Sequence, residues 1–215
     1  MIRKNATCNL ACSDVAGDYF YVKNNYTMVY NGIDLNLYTN TKNNTNEYPV
    51  FITAGRIDEE KNPIFLVDVF NEIVKLIPQA KLIWVGSGSL EGEIKSRVSG
   101  YHLDNSVDFL GVRSDVYKLL PKADYFLLPS LYEGLSIALA EAQAAGLECF
   151  VSDTVSRLSD CGKCEFISLE KNAAEWAQII FEYIKSGKHN EVDREKLSKF
   201  DIKNMARELE KIYTQ

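Results

Sequence analysis

Residues 123–146 read ADYFLLPSLYEGLSIALAEAQAAG, a strand, a loop and a helix in one run. Ala123–Pro129 is a short apolar stretch closed by proline, the pattern of a strand buried on both faces of a parallel sheet. Leu135, Leu139, Ala142 and Gly146 then recur at the spacing of one buried helix face. The alanines allow close packing, and Gly146 stands where a left-handed cap ends a helix. Between strand and helix, Gly134 lets the chain turn tightly and lets a ligand approach the backbone. Free amides at Gly134, Leu135 and Ser136 would point out of the helix start and suit a phosphate or another anion. Glu133 stands at the mouth of that site, and Glu141 lies further along the helix.

Glu133, seven intervening residues and Glu141, written EGLSIALAE, resemble the signature of the retaining GT-B glycosyltransferases of family four. Two solvated acids on a surface helix would give the same spacing, so the other segments have to decide.

Working outward, Pro49–Gly55 (PVFITAG) is a β-rich apolar run ending in glycine, a good first strand for a parallel sheet. The loop after it holds Arg56 and Lys61, and Asn62-Pro63 is an N-cap and first-turn signal for a helix over Ile64–Ile77. Lys81–Val85 is a second strand. Gly86-Ser-Gly88-Ser-Leu-Glu-Gly92 follows it, one residue longer than the dinucleotide fingerprint and not after the first strand, so nicotinamide or flavin binding is disfavoured. That turn reads instead as a place where a ligand or a neighbouring loop comes close. Leu90–Ser99 is a helix, Val107–Leu110 a third strand, and Gly111-Val112-Arg113 leads to a helix capped by Ser114 or Asp115. Glu148–Ser152 and Glu165–Ser168 are further strands. Helices over Ala173–Lys185, Glu191–Lys199 and Ile202–Tyr213 close the chain, with Trp176, Ile180 and Tyr183 as core contacts. Strand–helix alternation gives an α/β fold, a doubly wound Rossmann-like parallel sheet whose ligand loops open on one edge.

Before Pro49, residues 6–14 read as a short buried strand, Val15–Tyr21 as a helical turn and Tyr26–Tyr30 as a strand. Thr39–Glu47 is polar, Asn-rich and without periodicity. The resemblance implies that residues 1–30 are a remnant of an N-terminal acceptor domain and 31–48 a linker. It makes 49–200 a nucleotide-sugar donor domain, and 201–215 a helix crossing back onto the first domain, the whole being the C-terminal half of a GT-B fold.

The totals narrow the function classes. A formal charge of −6 and a pI near 5.1 argue against nucleic acid as a partner, since phosphate backbones need a basic face. No apolar run is long enough to span a bilayer, no signal-peptide core follows Met1, and the chain reads as cytoplasmic. Cys8/Cys12 and Cys161/Cys164 could together hold zinc, but the pairs are far apart and lack a nearby histidine. Reduced thiols are the default, with no metal and no cofactor expected. The sequons at Asn5, Asn25 and Asn43 read as chance matches in an Asn-rich chain.

The resemblance then implies roles. Arg56 and Lys61 hold the diphosphate and compensate the leaving charge. Glu133 contacts hydroxyls of the donor sugar, and Glu141 binds the ribose. Gly86 and Gly88 lie on a loop facing the donor, and Val112 and Arg113 pass beside the base. Gly134, Leu135 and Ser136 help with phosphate or sugar. The implied protein transfers a hexosyl group from a nucleotide sugar, UDP-linked first and GDP-linked second, to a glycan or lipid-linked acceptor in surface polysaccharide synthesis, with the full-length enzyme peripheral to the inner membrane face. A module that binds nucleotide sugars without catalysis is the alternative for this chain alone. A glycoside hydrolase is disfavoured because eight helical residues would carry the two carboxylates ~12 Å apart.

Overall fold

The computed structural model describes residues 6–21, 25–38 and 46–214. The expectations for the segment behind Met1, the sequons at Asn5 and Asn43, and most of Thr39–Glu47 lie outside the described residues.

The core is a six-stranded parallel sheet. Its strands are β3 (Val50–Ala54), β4 (Lys81–Val85), β5 (Val107–Gly111), β6 (Tyr125–Leu128), β7 (Glu148–Ser152) and β8 (Cys164–Ile167), in the order β5-β4-β3-β6-β7-β8. The chain enters at the centre with β3, winds outward through β4 and β5, and returns to lay β6 against β3 with Phe51 opposite Tyr125. It then winds the other way. Between β3 and β6 the winding direction reverses, so the connections leave their carboxyl ends in opposite directions and open a crevice there. The expected doubly wound α/β class is thus the observed one.

Alternation along the strands divides two cores. Ile52, Ala54, Phe126, Leu128, Cys149 and Val151 face one side and pack with Leu139, Ala140 and Ala142 of α5 (Ile137–Ala144). Phe51, Leu82, Trp84, Leu127 and Phe150 face the other. There they meet α2 (Pro63–Leu76), α3 (Glu91–Gly100) and α6 (Ala173–Ser186). Trp176, Ile180 and Tyr183 are buried in this second core as expected. The Trp176 indole N–H donates to the Ser168 carbonyl at 2.9 Å.

The N-terminal segment is less regular than its apolar runs predict. Among the described residues there, only Leu10–Ala11 (β1) and Thr27–Met28 (β2) pair as strands, in parallel, around α1 (Asp14–Phe20). Gly17 of α1 has no side chain because a Cβ there would stand 2.2 Å from the Tyr26 ring. The turn after β2 is tied to the far end of the chain. Ile33 donates to the Phe200 carbonyl at 2.7 Å and accepts from the Ile202 amide at 2.9 Å. This brings the start of α8 (Ile202–Tyr213) onto Gly32, and α7 shortens to Arg194–Ser198 because Asp193 caps it. Asn62 and Asp115 stand at the expected cap positions but make no side-chain capping bond. Asn62 is left-handed (φ 52°), and the Asp115 carboxylate is taken by Arg113.

Candidate active site

The loop after β3 carries both candidate cations, and each is paired with a carboxylate. Arg56 bridges Asp58 at 3.2 Å and also binds Glu60. Lys61 bonds Glu133, which accepts as well from the Ser130 hydroxyl at 3.1 Å. The Leu131 amide donates to the Glu60 carbonyl at 2.9 Å, so the loops following β3 and β6 are joined by backbone as well as by charge.

The loop after β4 is pressed onto this assembly. A Cβ on Gly86 would lie 1.8 Å from the Gly55 carbonyl oxygen, and one on Gly88 2.4 Å from that of Ile57. Both glycines therefore serve contact between loops. Ile57 donates to the Ser87 carbonyl at 3.0 Å. The amide and hydroxyl of Ser89 both donate to Asp58 at 2.8 Å, which with the nearby Arg56 holds that carboxyl below its ordinary pKa.

Beyond these contacts lies a cleft of about 430 Å³ at the switch point of the sheet. Arg56, Gly86, Ser87, Val112, Arg113, Val116, Ala138 and Glu141 line it. Val112 is 78% exposed on its lip. Arg113 makes a fork to Asp115, two bonds of 2.9 Å, on the exposed rim. Glu141 is half-buried on the inner wall. Burial pushes its pKa up, and a hydrogen bond from the Tyr38 hydroxyl at 2.9 Å works in the opposite sense.

Five of the residues singled out in the sequence, Arg56, Gly86, Val112, Arg113 and Glu141, thus share one cleft. Lys61 and Glu133 form a pair beside it, and Lys61 shares a smaller hollow with Gly55 and Arg56. Gly88, Gly134, Leu135 and Ser136 do not line the cleft. Gly134 faces inward, where a Cβ would be 3.1 Å from the Ser13 hydroxyl. The expectation of free amides from Gly134 to Ser136 fails at Ser136. Its N–H donates to the Ser159 hydroxyl at 3.1 Å, and its own hydroxyl caps α5 by accepting from Leu139. The helix therefore starts at Ile137, and Glu133 lies outside it. The helical spacing used to set the two carboxylates apart does not apply.

Sequence reasoning missed several supporting groups. Tyr38 ends a short 3-10 turn, Leu35–Tyr38, and only an aromatic three residues after Leu35 signalled it. Ser152 and Thr154 both donate to the Ser130 carbonyl, at 2.5 and 2.7 Å, steadying the loop that presents Glu133. The backbone of Glu133 also bridges to Val155. The loop after β7 is therefore part of this edge, a role that polar residues after a strand do not announce.

Among the described residues there is no group of three or more His, Cys, Asp or Glu able to hold a metal. The five cysteines are free thiols. Burial pushes Cys161 up to about 12, and Cys164 is also raised, by its hydrogen bond with Cys149 and by burial. No helix of the described residues is long and apolar enough to cross a membrane.

Comparison with known proteins adds to this geometry. Residues 38–200 match the family model of glycosyl transferases group 1. The putative glycosyltransferase EpsF of Bacillus subtilis is 31% identical over 197 residues, covering 84% of this chain and 51% of that protein. The UDP-Gal:alpha-D-GlcNAc-diphosphoundecaprenol alpha-1,3-galactosyltransferase of Escherichia coli is 36% identical over 107 residues, 48% of this chain and 28% of that one. By its name, that relative uses a UDP-sugar and a lipid-linked acceptor. The Anabaena protein Alr3699/HepE, solved in complex with UDP and glucose, superposes with a TM-score of 0.82 at 18% identity, covering 98% of this chain and 63% of that one. The chain spans about half the length of a relative such as EpsF. With a family match over most of its length and the same doubly wound sheet as GT-B glycosyltransferase structures, the chain belongs to the glycosyl transferases of group 1.

Proposed function

We propose that this chain is the nucleotide-sugar-binding half of a retaining hexosyltransferase, residues 49–200 forming the donor domain. The observation that carries this reading is that Arg56 and Glu141 line the switch-point crevice while the Lys61–Glu133 pair stands beside it. The diphosphate lies along the loop after β3. There Arg56 and Lys61 offset the charge that grows on the departing nucleotide, the role of a preorganised electrostatic clamp. Both cations are held in advance by carboxylates. The diphosphate takes over Lys61 from Glu133, and this frees Glu133 to accept from the sugar hydroxyls. Glu141 accepts from the ribose, while the Val112–Arg113 turn lies beside the base.

UDP is the first choice of donor nucleotide and GDP the second. The E. coli relative, named for a UDP-sugar, and the UDP-bound Anabaena neighbour support that order. The acceptor is a glycan or a lipid-linked sugar in surface polysaccharide synthesis, and the name of the same E. coli relative supports the lipid-linked kind. The whole enzyme works in the cytoplasm against the inner membrane face. Calorimetric titration of UDP-, GDP- and ADP-sugars into residues 1–215 tests this. Saturable binding of one series is expected, and no binding of any would overturn the reading.

A further inference from the structure

We infer that Tyr38 is a positioning residue for the nucleoside, fixing the Glu141 carboxylate so that its second oxygen is presented to the ribose diol. The inference rests on the reading of Glu141 as the ribose acceptor. Tyr38 comes from the segment before the sheet, 103 positions away in sequence, and is only 6% exposed. Its ring packs in the core with Leu35, Leu139 and Ala142. The residue borders a separate hollow with Leu35, Gln143 and Leu197, yet its hydroxyl reaches the cleft-lining Glu141 and donates to Oε1 at 2.9 Å. A phenylalanine would fill the same space, so the hydroxyl serves something other than packing.

The chemistry is that of a clamp on an acid. A glutamate has three rotatable bonds, and ordering it when a ligand binds has an entropic cost. A bond to Oε1 made before the ligand arrives removes that cost and leaves Oε2 to accept from a hydroxyl. It also favours the charged carboxylate against the burial that disfavours it. Arg56 and Arg113 face the same cleft, and Asp34 acts on Tyr38 from its own segment. Glu141 therefore has the Tyr38 hydroxyl as its partner and shares its cleft with two arginines that are paired to other carboxylates.

The test is discrimination between UDP and 2′-deoxyuridine diphosphate by residues 1–215, for the unaltered chain, Tyr38→Phe and Glu141→Gln. The unaltered chain is expected to prefer UDP by at least about tenfold, the size of one hydrogen bond to a charged group. Glu141→Gln abolishes most of that preference. Tyr38→Phe weakens UDP by ~3- to 10-fold and the deoxy compound, which keeps its 3′-hydroxyl, by less. Its UDP affinity also falls away at a higher pH on acidification. A role confined to folding would weaken both ligands alike with a lowered melting temperature, and that result overturns the proposal. If Tyr38→Phe retains full discrimination while Glu141→Gln loses it, Tyr38 is dispensable and only this inference falls. No UDP binding, or no preference in the unaltered chain, removes the reading of Glu141 itself. Should Tyr38→Phe not fold, NMR of the unaltered chain decides. The Tyr38 hydroxyl proton must stay protected from exchange at saturating UDP, and its release on binding would refute the clamp.

Discussion

Replacing Lys61 with methionine separates two things this side chain does. Its ammonium is paired with Glu133, and the side chains are 23% and 11% exposed. Without it, Glu133 keeps the hydrogen bond from the Ser130 hydroxyl. A half-buried carboxylate that loses its cation costs ~1–3 kcal/mol of stability. For a chain of this length each kcal/mol moves Tm by about 2–4 °C, so a drop of ~2–12 °C is expected. The effect on ligand is separate. A charge-assisted bond to diphosphate contributes ~1.5–3 kcal/mol, which converts to a ~10- to 140-fold rise in the Kd for UDP. Because the free chain already satisfies Lys61 internally, the observed loss should sit in the lower half of that range. Adding Glu133→Gln to Lys61→Met should restore most of the melting temperature and none of the UDP affinity. Calorimetry for UDP and thermal melts by circular dichroism on the unaltered chain and both variants supply both numbers. Unchanged UDP affinity in Lys61→Met, or recovery of affinity in the double variant, would refute the assignment of Lys61 to the diphosphate.

Other expectations follow from the same geometry. Glu141 has a raised folded-state pKa, so its burial contributes stability at low pH that is lost as pH rises through that value. Glu141→Gln should therefore leave the ligand-free melting temperature at pH 7 equal or higher while weakening UDP, whereas a lowered melt with unchanged affinity would contradict this. Affinity of the unaltered chain for UDP should decline on acidification from above the usual glutamate range, measured between pH 7 and 4.5. Away from the cleft, Lys163 and Glu148 form a buried pair, and Glu148 also accepts from the Tyr183 hydroxyl at 2.8 Å and the Asn190 amide at 3.1 Å. Lys163→Met should cost ~3–5 kcal/mol of stability, read by urea unfolding, with UDP affinity intact in the folded fraction. Chelator should leave the Kd for UDP unchanged, since Arg56 and Lys61 supply the compensating charge; a loss above tenfold would reveal a divalent-cation site.

What the sequence determined by itself is the local and periodic part of this protein. Apolar runs such as Val50–Ala54 and Phe126–Leu128 form strands because burial on both faces needs only hydrophobic side chains in succession. Alternation with helices leaves few ways to wind the chain, and right-handed crossovers bring the carboxyl ends to one edge. The loops bearing Arg56, Gly86 and Glu133 are thus brought to one edge, and the family resemblance adds Val112, Arg113 and Glu141 to them. Tertiary structure alone decided how those residues are used. Gly88 and Gly134 look like ligand loops in sequence, but the space beside them is filled by Ile57 and Ser13 from elsewhere in the chain. Ser136 looks like an open amide until Ser159 arrives to accept from it. The pairing of Lys61 with Glu133 and of Tyr38 with Glu141 joins residues 72 and 103 positions apart. Such contacts carry no periodic trace, because a hydrogen bond depends on where two atoms end up and not on the spacing that brings either of them there.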